Sequence, residues 1–171
     1  GTSKFRCNIF DIYGNHKFET SETTPLEKKS DGFFYNPADQ IYKITLNILK
    51  KITAYANKNN LSIKSISFSS VGESGIPIDI NGNILLDCIP WYDQRTEIIK
   101  EKLRNFIDDD FIYKYTGLTN DHFFSAYKIL WIKKNKPNVY KKIFKWLPIS
   151  DYLAWKLTGE ISTDVSQAMR T

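Results

Sequence analysis

The sequence is poor in the residues that build metal and redox centres. Its 171 residues include two cysteines, Cys7 and Cys88, and two histidines, His16 and His122. The cysteines form no C-x-x-C pair and lie far along the chain from both histidines, so a zinc site is not expected. Each cysteine sits in an apolar run, which predicts buried free thiols in a reducing compartment. No apolar stretch approaches membrane-spanning length and no secretory leader opens the chain, so a cytoplasmic location with no membrane partner is expected. There is no G-x-x-x-x-G-K-[ST] loop, and Gly72 to Gly75 is too short and too acidic to imitate one. Asp108-Asp109-Asp110 lacks interleaved ligands and is read as a helix cap rather than a cation site.

What is present suffices for one domain with its own core: 42% of the residues are hydrophobic and 15% aromatic, a composition that argues against disorder. The net charge is +5. The lysines are scattered, and only Lys133, Lys134, Lys136, Lys141, Lys142 and Lys145 gather. A scattered excess reads as a solvated face rather than a nucleic-acid footprint, and the patch equally suits an anionic small molecule.

Phe5, Cys7 and Ile9 alternate with polar or outward positions, as in a strand. Gly14-Asn15 predicts a turn and His16 to Thr20 a returning strand. Residues 21–35 read as loop. Asn36-Pro37-Ala38-Asp39 reads as a helix start, with Asn36 as cap. Ile41, Ile44, Ile48, Ile52 and Tyr55 then mark an amphipathic helix that ends near Asn57–Asn60. Ile63, Ile66 and Phe68 predict a strand stopping at Ser69-Ser70-Val71-Gly72. Ile76 to Ile80 and Ile84 to Leu86 read as a hairpin around Asn81-Gly82. Helices are expected over Gln94 to Phe106, His122 to Asn135, Pro137 to Lys145 and Ser150 to Leu157. This pattern fits an α/β domain with a mixed sheet.

Four stretches together resemble the FGGY family of carbohydrate kinases, along nearly the whole chain. Gly1-Thr2-Ser3-Lys4-Phe5-Arg6 resembles the family's opening phosphate loop, D-x-G-T-S-S-x-R, entered two residues late. Ser69-Ser70-Val71-Gly72-Glu73-Ser74-Gly75 occupies the place of its sugar-binding segment. Glu73 matches the glutamate of glycerol kinases there, while Gly72 stands where those have an arginine. Ile89-Pro90-Trp91-Tyr92-Asp93-Gln94-Arg95-Thr96 resembles I-x-W-x-D-x-R-T. Phe123 to Asn135 matches a family signature position by position, and Ser150 to Leu153, Lys156 to Glu160 and Thr163-Asp164 continue the likeness as scaffold.

The resemblance implies a ribonuclease H-like, actin-like ATPase domain with a mixed sheet and flanking helices. It implies transfer of the γ-phosphoryl group of ATP, with Mg²⁺, to a hydroxyl of a sugar, polyol or sugar acid. Residues 1–171 would be the sugar-binding N-terminal domain, truncated at its start and lacking a C-terminal ATP-binding domain. Thr2, Ser3, Lys4 and Arg6 would face the phosphates. Gly72, Glu73, Trp91, Asp93, Arg95 and Phe123 would be substrate-binding, with Asp93 and Arg95 equally read as bracing their loop. The general-base aspartate is expected beyond residue 171, so no turnover is expected from this chain by itself. Val71-Gly72-Glu73 matches neither the glycerol nor the xylulose pattern, so gluconate, a pentulose, a deoxy sugar and a polyol all stay open, as does a homodimer. Two rival readings are a non-catalytic sugar sensor of the same fold and a basic nucleic-acid-binding domain. The second would need several carboxylates for two metals.

Overall fold

The computed structural model describes residues 1–170. Alternation at the start of the chain builds the first ribbon. Strand β1 (Lys4–Phe10) turns Phe5, Cys7 and Ile9 inward and pairs antiparallel with β2 (His16–Thr23), from Lys4↔Thr23 to Ile9↔Phe18. The turn between them is an Asp-Ile-x-Gly-Asn unit: Asp11 Oδ1 accepts from the N–H groups of Tyr13 and Asn15, both at 2.9 Å, and Gly14 takes φ 83°. The same unit recurs at Asp79-Ile80-Asn81-Gly82-Asn83, where Asp79 Oδ1 accepts from Asn81 and Asn83 and Gly82 has φ 82°. In both, the carboxylate ties down backbone donors that a tight turn leaves free.

The loop read over 21–35 contains the end of β2 and a short ribbon, β3 (Glu27–Lys28) with β4 (Phe34–Tyr35). Helix α1 (Ala38–Lys58) follows and buries Ala38, Ile41, Thr45, Ile48, Ile52 and Ala56 along one stripe. Its start differs from the sequence reading. Asn36 pairs with Cys88 through two backbone bonds and gives its side chain to the Pro25 carbonyl. Asp87, distant in sequence, instead accepts from Ala38 N–H at 3.0 Å. α1 packs on β1 and β2, and Tyr55 stacks on Phe18 with ring centroids 4.2 Å apart.

Two further expectations are corrected. The Ile76–Leu86 hairpin narrows to one bridge, Ile78↔Ile84, with Leu85 N–H donating to Pro77 O at 2.9 Å, and β5 (Gly75–Ile78) finds its longer ladder with β6 (Lys145–Pro148), a strand that starts at the last residue of the predicted Pro137–Lys145 helix. Trp146 packs so closely on Gly75 that a Cβ there would meet its Nε1 at 2.3 Å. The mixed sheet is also absent among the described residues, where the strands form three separate antiparallel ribbons. The physical reason is that 62–70, read as a strand, makes no backbone–backbone hydrogen bond there, so nothing joins β1 to the rest.

The remaining elements are a 3₁₀ turn (Gln94–Thr96), α2 (Glu97–Leu103), α3 (Asp109–Thr116), α4 (Ser125–Asn135), α5 (Pro137–Tyr140), α6 (Ile149–Thr158) and α7 (Val165–Ala168). Asp108 caps α3 by accepting from Phe111 N–H at 2.6 Å, as its acidic run suggested. Two cores result. One joins α1, β5, β6 and α6 through Ile41, Ile76, Ile78, Leu147 and Tyr152. The other joins α2 and α4 through Ile99, Tyr127, Trp131 and Ile132. Cys88 is fully buried in the first, where burial pushes its thiol up to about 12; Cys7 is half-buried, and both are free. No described helix is long and apolar enough to cross a membrane.

Candidate functional site

The turn before β1 is fixed by the end of β2. Thr24 donates its N–H to Ser3 O at 3.0 Å and its hydroxyl to Gly1 O at 2.8 Å. Thr2 is thereby held where its Oγ1 accepts from Trp91 Nε1 at 2.9 Å. Strand period places Lys4 and Arg6 on the outward face of β1, and both are exposed. Gly1, Thr2 and Arg6 line a cavity of ≈ 140 Å³ floored by α1 and walled by Ser67 to Val71 and Trp91; Ser3 and Lys4 lie outside that lining.

The segment Phe68 to Glu73 also walls a second cavity, of ≈ 430 Å³, closed on its far side by Asp164, Ser166, Gln167 and Arg170. Its volume falls in the range of small-molecule sites. Serine hydroxyls, two carboxylates, an amide and a guanidinium face it, a set suited to a polyhydroxylated ligand. Glu73 is buried and Gly72 with it. Arg170 Nε donates to Glu73 Oε1 at 2.5 Å, and its Nη2 reaches the same oxygen.

Trp91, which lines the first cavity beside Thr2, meets Phe123 edge to face, with centroids 6.4 Å apart. The Phe123 loop is held from two sides: Thr96 Oγ1 donates to His122 O at 2.7 Å, and Lys128 Nζ donates to Phe123 O. Lys128 has no exposed surface, and burial lowers its ammonium to about 8, with the charges of Glu73 and Asp93 pulling the other way.

Asp93 and Arg95 face each other. Asp93 caps the 3₁₀ turn by accepting from Arg95 N–H at 2.9 Å and binds the guanidinium through both oxygens at 2.7 Å. Arg95 also donates to Phe34 O at 2.7 Å and lies 4.1 Å from the Phe33 ring, 4.4 Å from Tyr35 and 5.1 Å from Trp131. Its side chain has no exposed surface. A guanidinium so enclosed fastens the Trp91 loop to the second core.

The structure therefore gathers Thr2 with Trp91 and Phe123, and Gly72 with Glu73, on either side of one segment, while Arg95 stands behind. Arg170 and Lys128 were missed by sequence reasoning. Lys128 had a legible signal, a lysine on the buried face of a helix. Arg170 had none, because its contact with Glu73 spans 97 residues. Among the described residues no three His, Cys, Asp or Glu side chains gather as a metal site.

The model of the FGGY family of carbohydrate kinases, N-terminal domain, matches residues 1–171. A xylulose kinase of Staphylococcus xylosus is 32% identical over the whole chain, which corresponds to 35% of that protein. The crystal structure of gluconate kinase from Lactobacillus acidophilus superposes with a TM-score of 0.87 at 27% identity, over 99% of this chain and 34% of that one. The crystal structure of Plasmodium falciparum glycerol kinase with ADP superposes with a TM-score of 0.88 at 26% identity, over 99% and 35%. The chain thus spans about a third of the length of the xylulose kinase and of both crystal structures.

Proposed function

The chain belongs to the FGGY family of carbohydrate kinases, over that family's N-terminal domain, and from that premise we propose that it is the acceptor-binding part of an enzyme that phosphorylates a sugar, polyol or sugar acid with ATP. The observation that carries this reading is the shared wall. Phe68 to Val71 separates a cavity at the Thr2 and Arg6 loop from one at Glu73, so donor phosphate and acceptor hydroxyl would approach from the two sides of one segment. The hydrogen bond from Trp91 to Thr2 fixes the Thr2 side of that wall.

In this reading Glu73 accepts hydrogen bonds from acceptor hydroxyls, and its burial strengthens them by excluding water. Gly72 lines the same cavity and leaves room for the stem of Arg170. Trp91, on the Thr2 side of the wall, and Phe123 beside it would meet the sugar through their apolar ring faces where it extends past the wall. Asp93 and Arg95 belong to the site by holding the Trp91 loop. Thr2, Ser3, Lys4 and Arg6 supply hydroxyl and cationic groups to the phosphates of ATP. Transfer forms an oxygen–phosphorus bond at the acceptor and breaks the one to ADP, and positioning supplies most of the rate. Mg²⁺, when bound with ATP, would neutralise phosphate charge; among the described residues no three His, Cys, Asp or Glu side chains gather as a metal site. No general base is assigned within residues 1–171, so this chain alone is expected to show no turnover; a second, ATP-binding domain is its expected partner.

The test is a thermal-shift panel of glycerol, xylulose, gluconate and fuculose, with and without Mg-ATP. A ligand at a hundred times its Kd stabilises by about 2.7 kcal/mol, which raises Tm by several degrees. One acceptor should give that rise, and Glu73→Ala should abolish it. No shift with any acceptor, or a shift that survives Glu73→Ala, contradicts the reading.

A further inference from the structure

Gly72 has no side chain, and the space a side chain would claim is filled from the other end of the chain. A Cβ built on Gly72 would lie 2.8 Å from Arg170 Cδ and 3.2 Å from its Cβ and Nε. The aliphatic stem of Arg170 thus lies across Gly72, and its guanidinium ends on Glu73. The two partners differ in exposure: the Glu73 side chain is 7% exposed and that of Arg170 46%. A buried carboxylate therefore carries a half-exposed guanidinium, and both line the ≈ 430 Å³ cavity.

A guanidinium has five N–H donors in a rigid fork. Nε and Nη2 converge on one oxygen, Glu73 Oε1, and a fork so engaged at one edge keeps donors at its other edge. An acceptor group and a donor group side by side match two adjacent hydroxyls, one donating to the carboxylate and the next accepting from the guanidinium. We propose that Arg170 is a specificity-determining residue of the acceptor site, and that with Glu73 it reads a vicinal diol of a polyhydroxylated ligand. Arg170 crosses position 72, so a larger side chain there must push its stem aside. Arg170 follows α7, so that helix becomes part of the acceptor site rather than scaffold alone. The inference rests on the acceptor-site reading above and extends it.

The test is calorimetric titration of the 171-residue chain with glycerol, xylulose, gluconate and fuculose, and with the deoxy analogue of whichever binds, lacking one hydroxyl of the pair. Arg170→Gln should weaken binding of the intact acceptor about tenfold, equivalent to ~1.4 kcal/mol, and leave binding of the deoxy analogue unchanged. Arg170→Lys should recover only part, because an ammonium is not a fork. Gly72→Val should lose as much as Arg170→Gln by displacing the stem, with thermal melts verifying that each variant folds. If Glu73→Gln loses binding while Arg170→Gln binds as tightly as the parent or tighter, the acceptor site stands and the role of Arg170 is overturned. If no probe binds the parent chain, or neither variant alters binding, both readings fall together.

Discussion

A lysine with no exposed surface makes one pH-dependent contribution to the stability of this domain. Burial lowers Lys128 to about 8, against 10.5 for a free lysine. Below pH 8 both folded and unfolded chains hold the proton, and the fold carries a desolvated cation. Between 8 and 10.5 the unfolded chain binds more protons, so the contribution of Lys128 to stability rises with pH. Cys88 acts oppositely: burial pushes its thiol to about 12 against 9.0, so the folded chain keeps a proton that the unfolded chain loses. Comparing the parent with Lys128→Met isolates the lysine. In urea denaturation, the stability of the variant relative to the parent should fall by about 2 kcal/mol between pH 7 and pH 10. A pH-independent difference would contradict this account. Sequence reasoning proposed Glu73, Trp91 and Phe123 through the family's motifs, and it left Asp93 and Arg95 poised between contacting sugar and bracing their loop. Only the enclosure of Arg95 by Phe33, Tyr35 and Trp131 displays the bracing contacts, and those rings come from separate parts of the chain.

The elements that sequence reasoning found are those whose signal is local. The period of Ile41, Ile48 and Ile52 specifies α1, and the alternation of Phe5, Cys7 and Ile9 specifies β1. Those it lost depend on distant partners. Ile76 to Ile78 meet the nearby Ile84 to Leu86 in one bridge only, while the longer ladder of β5 comes from β6, Lys145–Pro148, far along the chain. The close fit of Trp146 on Gly75 makes this pairing testable. Gly75→Ala should destabilise by about 1–3 kcal/mol, because the added methyl must displace an indole packed in a core. Trp146→Phe, which removes the clashing ring edge, should reduce that cost in a double-mutant cycle of urea melts. Additive effects would show that the clash is not what disfavours alanine at 75.

Across the whole molecule, two surfaces that sequence places far apart become neighbours. The Thr2 loop starts the chain, Gly72 and Glu73 lie near its middle, and Arg170 comes near its end, yet the segment Phe68 to Glu73 touches cavities lined by all three. Motif spacing locates such pieces individually; it does not say which of them share a wall, because that depends on how α1, α6 and α7 pack. Among the gathered lysines, Lys136 pairs with Asp31 at 3.2 Å, and Lys133 and Lys145 lie over Tyr140 and Phe144. The proposed acceptor cavity at Gly72 and Glu73 shares its wall, Phe68 to Val71, with the cavity that Thr2 and Trp91 line. The Trp91 indole N–H, bonded to Thr2 Oγ1, reports on that wall directly in a nitrogen-15 NMR titration with the acceptor panel. The account predicts that a binding acceptor shifts the Trp91 indole signal together with the backbone signals of Gly72 and Glu73. Saturable binding that moves other signals and leaves these three in place would contradict it.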